Sequence, residues 1–281
     1  MELGKKIFIF DKISFIRLID YMGGDDAIVQ AARVSYGKGT TTVSDDRKLI
    51  RYLMKHKHTS PFEQVEFKFH IKMPIFVARQ WVRHRTASLN EYSGRYSEMK
   101  NEFYFPDVDK IQGQSKDNNQ GSDGIILDEA KMIQNEMVLF QEKCHKEYQK
   151  YLNKGVSREV ARINLPLSQY TEWYWKMDLH NLFHFLKLRL DKHAQWEIRQ
   201  YAKVIFNIIK DIVPISCEAF EDYILNSVTY SKQENEIIRK IFKQINQKNF
   251  LDFFKREKLS RREKKDFLQK INIKYENNKG S

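Results

Sequence analysis

The chain has 281 residues, 41% of them hydrophobic, which is enough to bury a core and excludes wholesale disorder. Its formal net charge is +12, but residues 231–281 hold 15 Lys and Arg against 7 Asp and Glu, leaving +8 in the tail and +4 in residues 1–230, a balance that argues against a specific nucleic-acid partner. No stretch approaches the roughly 20 apolar residues of a membrane span, the N-terminus lacks a signal-peptide cleavage pattern, and two distant cysteines, Cys144 and Cys217, suit a reducing cytoplasmic compartment.

In chain order, the IFIF run and the alternation around Phe15 to Ile19 predict short strands. Asp25 or Asp26 then caps a helix through Ile28, Val29, Ala32 and Arg33, and another helix is expected from Asp45 to about Lys55. From Phe62 to Ile71 the period is two, with Val65, Phe67, Phe69 and Ile71 apolar and Glu66, Lys68 and His70 polar, so a strand with one buried face is expected. Pro74 favours a helix start, and IFVARQWVRHR follows without a breaker, placing Arg83, His84 and Arg85 at or near the helix end. The polar Gly- and Asn-rich stretch from Pro106 to Gly124 is expected to be a mobile loop. Helical patterning resumes from Leu127 to Leu152, briefly after Ser157, and from Asp178 to Ile212, where an unbroken helix would span roughly 50 Å.

Strands early and helices late, without a proline-rich linker, point to one α/β or α+β domain over 1–230, expected as a central, mainly antiparallel sheet flanked by helices, with a long C-terminal helix. Residues 231–281 form a basic extension in which Ile237, Ile238, Ile241, Phe242 and Ile245 keep a helical stripe, and Ser260 with Glu263 forms a capping box. That stripe needs a surface to bury against, on its own subunit or on a neighbour.

The densest chemical signal is RQWVRHRTASLNEYSGRYSE, residues 79–98, which crowds Arg79, Arg83, Arg85 and Arg95 around His84, Glu91, Ser88 and Ser93. Cations this close repel unless an anion meets them. Guanidinium forks match phosphate oxygens, and Ser93 and Gly94 add a hydroxyl and a close-approaching backbone N–H; a solvated basic helix face is the plainer alternative. A second group lies in DLHNLFHFLKLRLDKHAQWE, residues 178–197, where His180 and His184 share a helix face, as Arg189 and His193 would. Two histidines at that spacing can bind zinc, but no HExxH glutamate and no third ligand are evident, and satisfied structural histidines are the simpler alternative, so no metal is expected.

RHRTASLNEYS fits an RHR, seven residues, then Ser signature, and with HTSPFEQVEFKFHIKMPIFVARQW, REVAR, LPL and LRLDKHAQWEIRQYA it resembles the flavin-dependent thymidylate synthase family over about residues 5–225. The resemblance implies a homotetramer with active sites shared between subunits, and reductive methylation of dUMP to dTMP. FAD would be the cofactor, with 5,10-methylenetetrahydrofolate as carbon donor and NADPH as reductant. By position, Ser60, Arg83, His84, Arg85, Glu91, Asp178, Leu179, His180 and His184 would contact FAD. Gln80, Trp81, Val82, Arg83, Glu91, Tyr92, Ser93, Gly94, Arg95, Arg162 and Arg189 would hold dUMP, with Arg189 facing the uracil and driving the chemistry. His58 and Glu63 lie close by in sequence, His58 being either part of the site or an ordinary surface histidine. Some relatives carry Asn and Arg where this chain has Asp178 and His180, which weakens the grip of that segment on an anionic cofactor.

Neither cysteine sits in a nucleophile motif, so a mechanism without a cysteine nucleophile is implied. A nucleic-acid-binding protein, supported by the basic tail, and a metal-dependent hydrolase built on the histidines are the rival classes; a flavin spectrum would separate them from the first.

Overall fold

The structure is a computed structural model that describes residues 2–34, 43–116, 121–244, 247–271 and 273. It divides into two compact units, residues 1–226 and 227–281.

In the first unit a five-stranded antiparallel sheet runs in the order β1-β2-β3-β7-β4, from β1 (Ile7–Phe8), β2 (Phe15–Met22), β3 (Glu66–Pro74), β4 (Ser88–Glu91) and β7 (Tyr170–Asp178). Alternation dictates its two faces. Phe67, Phe69 and Ile71 of β3 lie opposite Met177, Trp175 and Trp173 of β7, and all six are buried. The other face carries Lys68, His70 and Lys72 against Lys176, Tyr174 and Glu172. There Lys176 pairs with Glu66 at 2.9 Å, the His70 ring stacks on Tyr174 at 4.7 Å, and Lys72 pairs with Glu102 at 2.6 Å.

The apolar face is covered by α3 (Ile75–Trp81), α6 (Leu179–Arg189) and α7 (Trp196–Lys210), whose inward residues join the principal core together with α1 (Asp25–Val34), α2 (Val43–Lys55) and α8 (Pro214–Phe220). The Asp25 carboxylate does not cap its own helix. It accepts from Ile215 N at 2.7 Å and from Ser216 N at 3.0 Å and Oγ at 2.6 Å, closing the start of α8.

Several expectations are corrected. Phe62–Gln64 is a 3₁₀ turn after Pro61, so the strand begins at Glu66, although Phe62 is buried as its apolar character requires. The stretch expected to be a loop after Pro106 contains the hairpin β5 (Gln112–Gln114) and β6 (Ser122–Ile126), with Gly121 at φ +81°, a left-handed conformation open to glycine; residues 117–120 of that stretch lie outside the described residues. The helical run from Asp178 to Ile212 is two helices. The Asp191 carboxylate accepts from His193 N at 2.8 Å, Ala194 N bonds Asp191 O, and the chain turns there without glycine or proline. His193 therefore stands in the turn and does not share a helix face with Arg189. The longest helix is instead α4 (Ala130–Asn153), followed by the single turn α5 (Arg158–Ala161).

The second unit holds α9 (Lys232–Gln244), α10 (Gln247–Lys255) and α11 (Arg261–Lys270). Its own small core gathers Phe254, Leu268, Ile271 and Ile273, with Ile238, Phe242, Phe250 and Leu251 packed against them. The stripe is therefore split: Ile238 and Phe242 turn inward, Ile237 and Ile241 stay exposed, and Ile245 lies outside the described residues. The capping box is present, Glu263 N donating to Ser260 Oγ at 3.2 Å and Ser260 N to Glu263 Oε2 at 2.9 Å. Among the described residues, no helix is long and apolar enough to cross a membrane.

Candidate active site

The site begins where α3 stops. Trp81, the last residue of α3, is driven into the core, its ring stacked on Phe185 at 4.8 Å and edge-on to Trp173, Trp175 and Tyr201. That anchor turns the following residues outward: Val82, Arg83 and Arg85 are exposed and His84 is half-buried. The Trp81 indole, expected at the substrate, is a core side chain because its apolar area is worth more buried than displayed. Leu179, expected at the flavin, is likewise fully buried, its N–H bonded to Val65 O at 2.8 Å.

Two groups of candidate residues result. In the first, the end of α3 meets the end of α6. Arg189 Nε donates to His84 Nε2 at 3.1 Å, and Arg189 Nη2 donates to Gln80 O at 2.9 Å. The His84 ring also faces His184, with centroids 5.9 Å apart. Burial first, then the Arg189 charge and His184, lower the His84 pKa to about 4. Gln80 Nε2 donates to Gln195 Oε1 across the turn between α6 and α7. At the other end of α6, the Asp178 carboxylate accepts from Asn181 N at 2.9 Å and Nδ2 at 2.6 Å, making it the N-cap, while His180 is half-buried.

In the second group, the turn after β4 meets α5 and the residues beyond it. Thr171 Oγ1 donates to Glu91 Oε1 at 2.7 Å, and Tyr92 N bonds Glu172 O, fixing the strand end. Arg95 N donates to Ser93 Oγ at 3.3 Å and Arg95 Nε to Glu159 Oε2 at 3.1 Å. Gly94 packs closely here: a Cβ would stand 2.7 Å from Met99 Sδ and 3.1 Å from Arg162 Cδ, so those side chains would have to shift. Ser93, Gly94, Arg95 and Arg162 thus sit together. Among the described residues, no hydrogen bond or ion pair joins this group to the first.

Ser60 and His58 lie elsewhere again, at a pocket of about 280 Å³ walled by Ala32, Leu49, Tyr52 and Leu53. Among the described residues, no three His, Cys, Asp or Glu side chains gather as a metal-binding group. Cys217 is buried in the core, where burial pushes its thiol pKa up, and Cys144 is half-buried on α4. The contact of Gln80 with Gln195 is not legible in the sequence, because the place of Gln195 at the start of α7 does not reveal a partner on α3.

Comparison with known proteins bears on this geometry. The family model described as thymidylate synthase complementing protein matches residues 17–215. A flavin-dependent thymidylate synthase of Treponema denticola is 56% identical over 245 residues, covering 85% of this chain and 90% of its own. One from Thermus thermophilus is 56% identical over 239 residues, covering 85% and 87%. A crystal structure of a UMP/dUMP methylase, PolB of Streptomyces cacaoi, bound with 5-Br dUMP, superposes with TM-score 0.71 at 33% identity, covering 79% of this chain and 100% of that one. Both groups of candidate residues lie within the matched span.

Proposed function

The chain belongs to the flavin-dependent thymidylate synthase family, and from that membership we propose that it methylates dUMP reductively to dTMP. FAD is its flavin, 5,10-methylenetetrahydrofolate the carbon donor and NADPH the reductant, in a homotetramer in the cytoplasm. The observation that carries this reading is the Arg189 guanidinium, fixed at 3.1 Å from His84 and 2.9 Å from Gln80 O inside the matched span.

The residues present fit both anions. Arg83 and Arg85 are exposed and have no hydrogen-bond or ion-pair partner among the described residues, a pair of cations left over for a pyrophosphate. With His84, His180, His184, Asp178, Ser60 and Glu91 they would hold the flavin, Asp178 acting through the α6 start that it caps. Ser93, Gly94, Arg95 and Arg162 would cradle the dUMP phosphate, the Ser93 hydroxyl and the Gly94 N–H adding donors beside the Arg95 and Arg162 guanidinium groups. The backbone of Val82, the side chains of Gln80 and Tyr92, and Arg189 would meet the rest of the nucleotide.

Methylation requires C5 of uracil to become nucleophilic. Arg189 cannot remove a proton, because a guanidinium stays charged, but a fixed cation beside N3 and its neighbouring carbonyl stabilises the uracil anion in the manner of an oxyanion hole. A serine attack by Ser93 is disfavoured, since among the described residues its Oγ has one hydrogen bond, from Arg95 N, and no base holds its proton. A thiolate attack is disfavoured for Cys217, which is sealed in the core with a raised pKa. When bound, FAD supplies the reducing equivalents that complete the methyl group. Two residue groups joined by no hydrogen bond or ion pair among the described residues accord with a site shared between subunits.

The test is spectroscopic. The purified chain, loaded with FAD, is expected to show a flavin absorption band that NADPH bleaches without oxygen. A protein that takes up no flavin sinks the reading.

A further inference from the structure

We infer that His84 is a positioning residue for Arg189, holding the guanidinium that reads the uracil, in addition to standing in the RHR segment. The inference deepens the proposed dUMP site and rests on that reading.

A guanidinium has five N–H donors and no acceptor. The 3.1 Å contact from Arg189 Nε therefore requires a lone pair on His84 Nε2, which puts the ring proton on Nδ1 and makes His84 neutral. The depressed pKa of His84 agrees with that state. Arg189 is thus gripped at two donors, Nε by the ring and Nη2 by Gln80 O, one acceptor from the last turn of α3 and the other from three residues beyond it. Two fixed points on a planar group set its plane. The third donor edge is left for the nucleotide.

The acceptors are themselves held. The His84 ring packs edge-on against buried Phe185 at 5.0 Å, and Trp81, three residues earlier, is locked in the core. His84 N also donates to Trp81 O at 3.0 Å, which fixes the backbone from which the ring projects. No equivalent grip is available to Arg83 or Arg85, which are exposed and without a partner among the described residues. One motif therefore divides its labour: the arginines stay free for an anion, and the histidine between them sets the geometry of a third arginine from another helix.

The experiment measures FAD and dUMP affinities separately on the full-length, FAD-loaded chain. A glutamine amide can place its oxygen near the position of Nε2, whereas asparagine reaches only the position of Nδ1. His84→Ala and His84→Asn are expected to lose roughly tenfold or more in dUMP affinity, the scale of a hydrogen bond to a charged group. His84→Gln is expected to recover most of it. In an Arg189→Ala background, His84→Ala is expected to cost little further dUMP affinity, because the two residues act as one unit. The inference is overturned if His84→Ala binds dUMP as the parent does, if Gln is no better than Asn, or if the full loss persists without Arg189. If the parent chain binds FAD but not dUMP, the proposed nucleotide site fails and the inference falls with it, whereas dUMP binding by the parent that the His84 variants leave unchanged overturns the inference alone.

Discussion

At the residue scale, charge and shape can be separated at Arg189. Its plane is set by acceptors on two sides, so a lysine keeps the charge but cannot keep the fork. Arg189→Lys is expected to fold and retain FAD while losing most dTMP synthesis; near-parental turnover would remove Arg189 from the mechanism. His84 makes a pH prediction whose sign follows from its lowered pKa, caused by burial first and then by Arg189 and His184. As pH falls below about 6.5, the ordinary histidine value, the unfolded chain takes up the proton that folded His84 refuses until about 4. Its contribution to stability is therefore complete above that upper limit and declines as pH drops toward the lower one. Burial lowers His70 and His145 too, with the same sign, so the parent should melt at progressively lower temperature over this window. His84→Gln should flatten that slope, and an unchanged slope would mean that His84 titrates normally in the folded protein.

At the element scale, the helix start of α8 depends on a carboxylate from far away in sequence. Asp25→Ala leaves Ile215 N, Ser216 N and Ser216 Oγ without their acceptor and is expected to destabilise the chain by about 1–3 kcal/mol. Urea melts of the variant and its parent would measure it; a difference near zero would show that water replaces the carboxylate. Asp25 also shows where sequence reading reaches its limit. It marks a helix start correctly, but a cap across the fold leaves no trace in local spacing. β3 was legible because Phe67, Phe69 and Ile71 alternate with charges. β7 carried the same alternation, Trp173, Trp175 and Met177 on one face against Glu172 and Lys176 on the other, with Tyr170 and Tyr174 on that second face blurring the contrast. The break between α6 and α7 was not legible, since an aspartate turn uses neither glycine nor proline. The RHR segment could be found as a motif, whereas the meeting of His84 with Arg189, 105 residues away, is a product of tertiary packing. Trp81 belongs to the same lesson, a motif residue whose side chain the core claims.

At the scale of the whole molecule, the chain comprises a unit with the candidate site and a second unit, residues 227–281, with its own small core. The family match ends at residue 215, before that second unit begins. A chain ending after Ser231 is expected to bind FAD and make dTMP, with weaker nonspecific attraction to polyanions because +8 of the +12 is removed. A folded truncation that cannot bind flavin or dUMP would place the extension in the active site. On the proposed function, this chain makes dTMP through a flavin and without a cysteine nucleophile. The most direct measurement of this follows dTMP formation from dUMP, 5,10-methylenetetrahydrofolate and NADPH by the FAD-loaded chain and by its Cys144→Ala, Cys217→Ala double variant. The account predicts dTMP from both proteins, and only when FAD and NADPH are present; dTMP formed without flavin, or lost in a folded double variant, would contradict it.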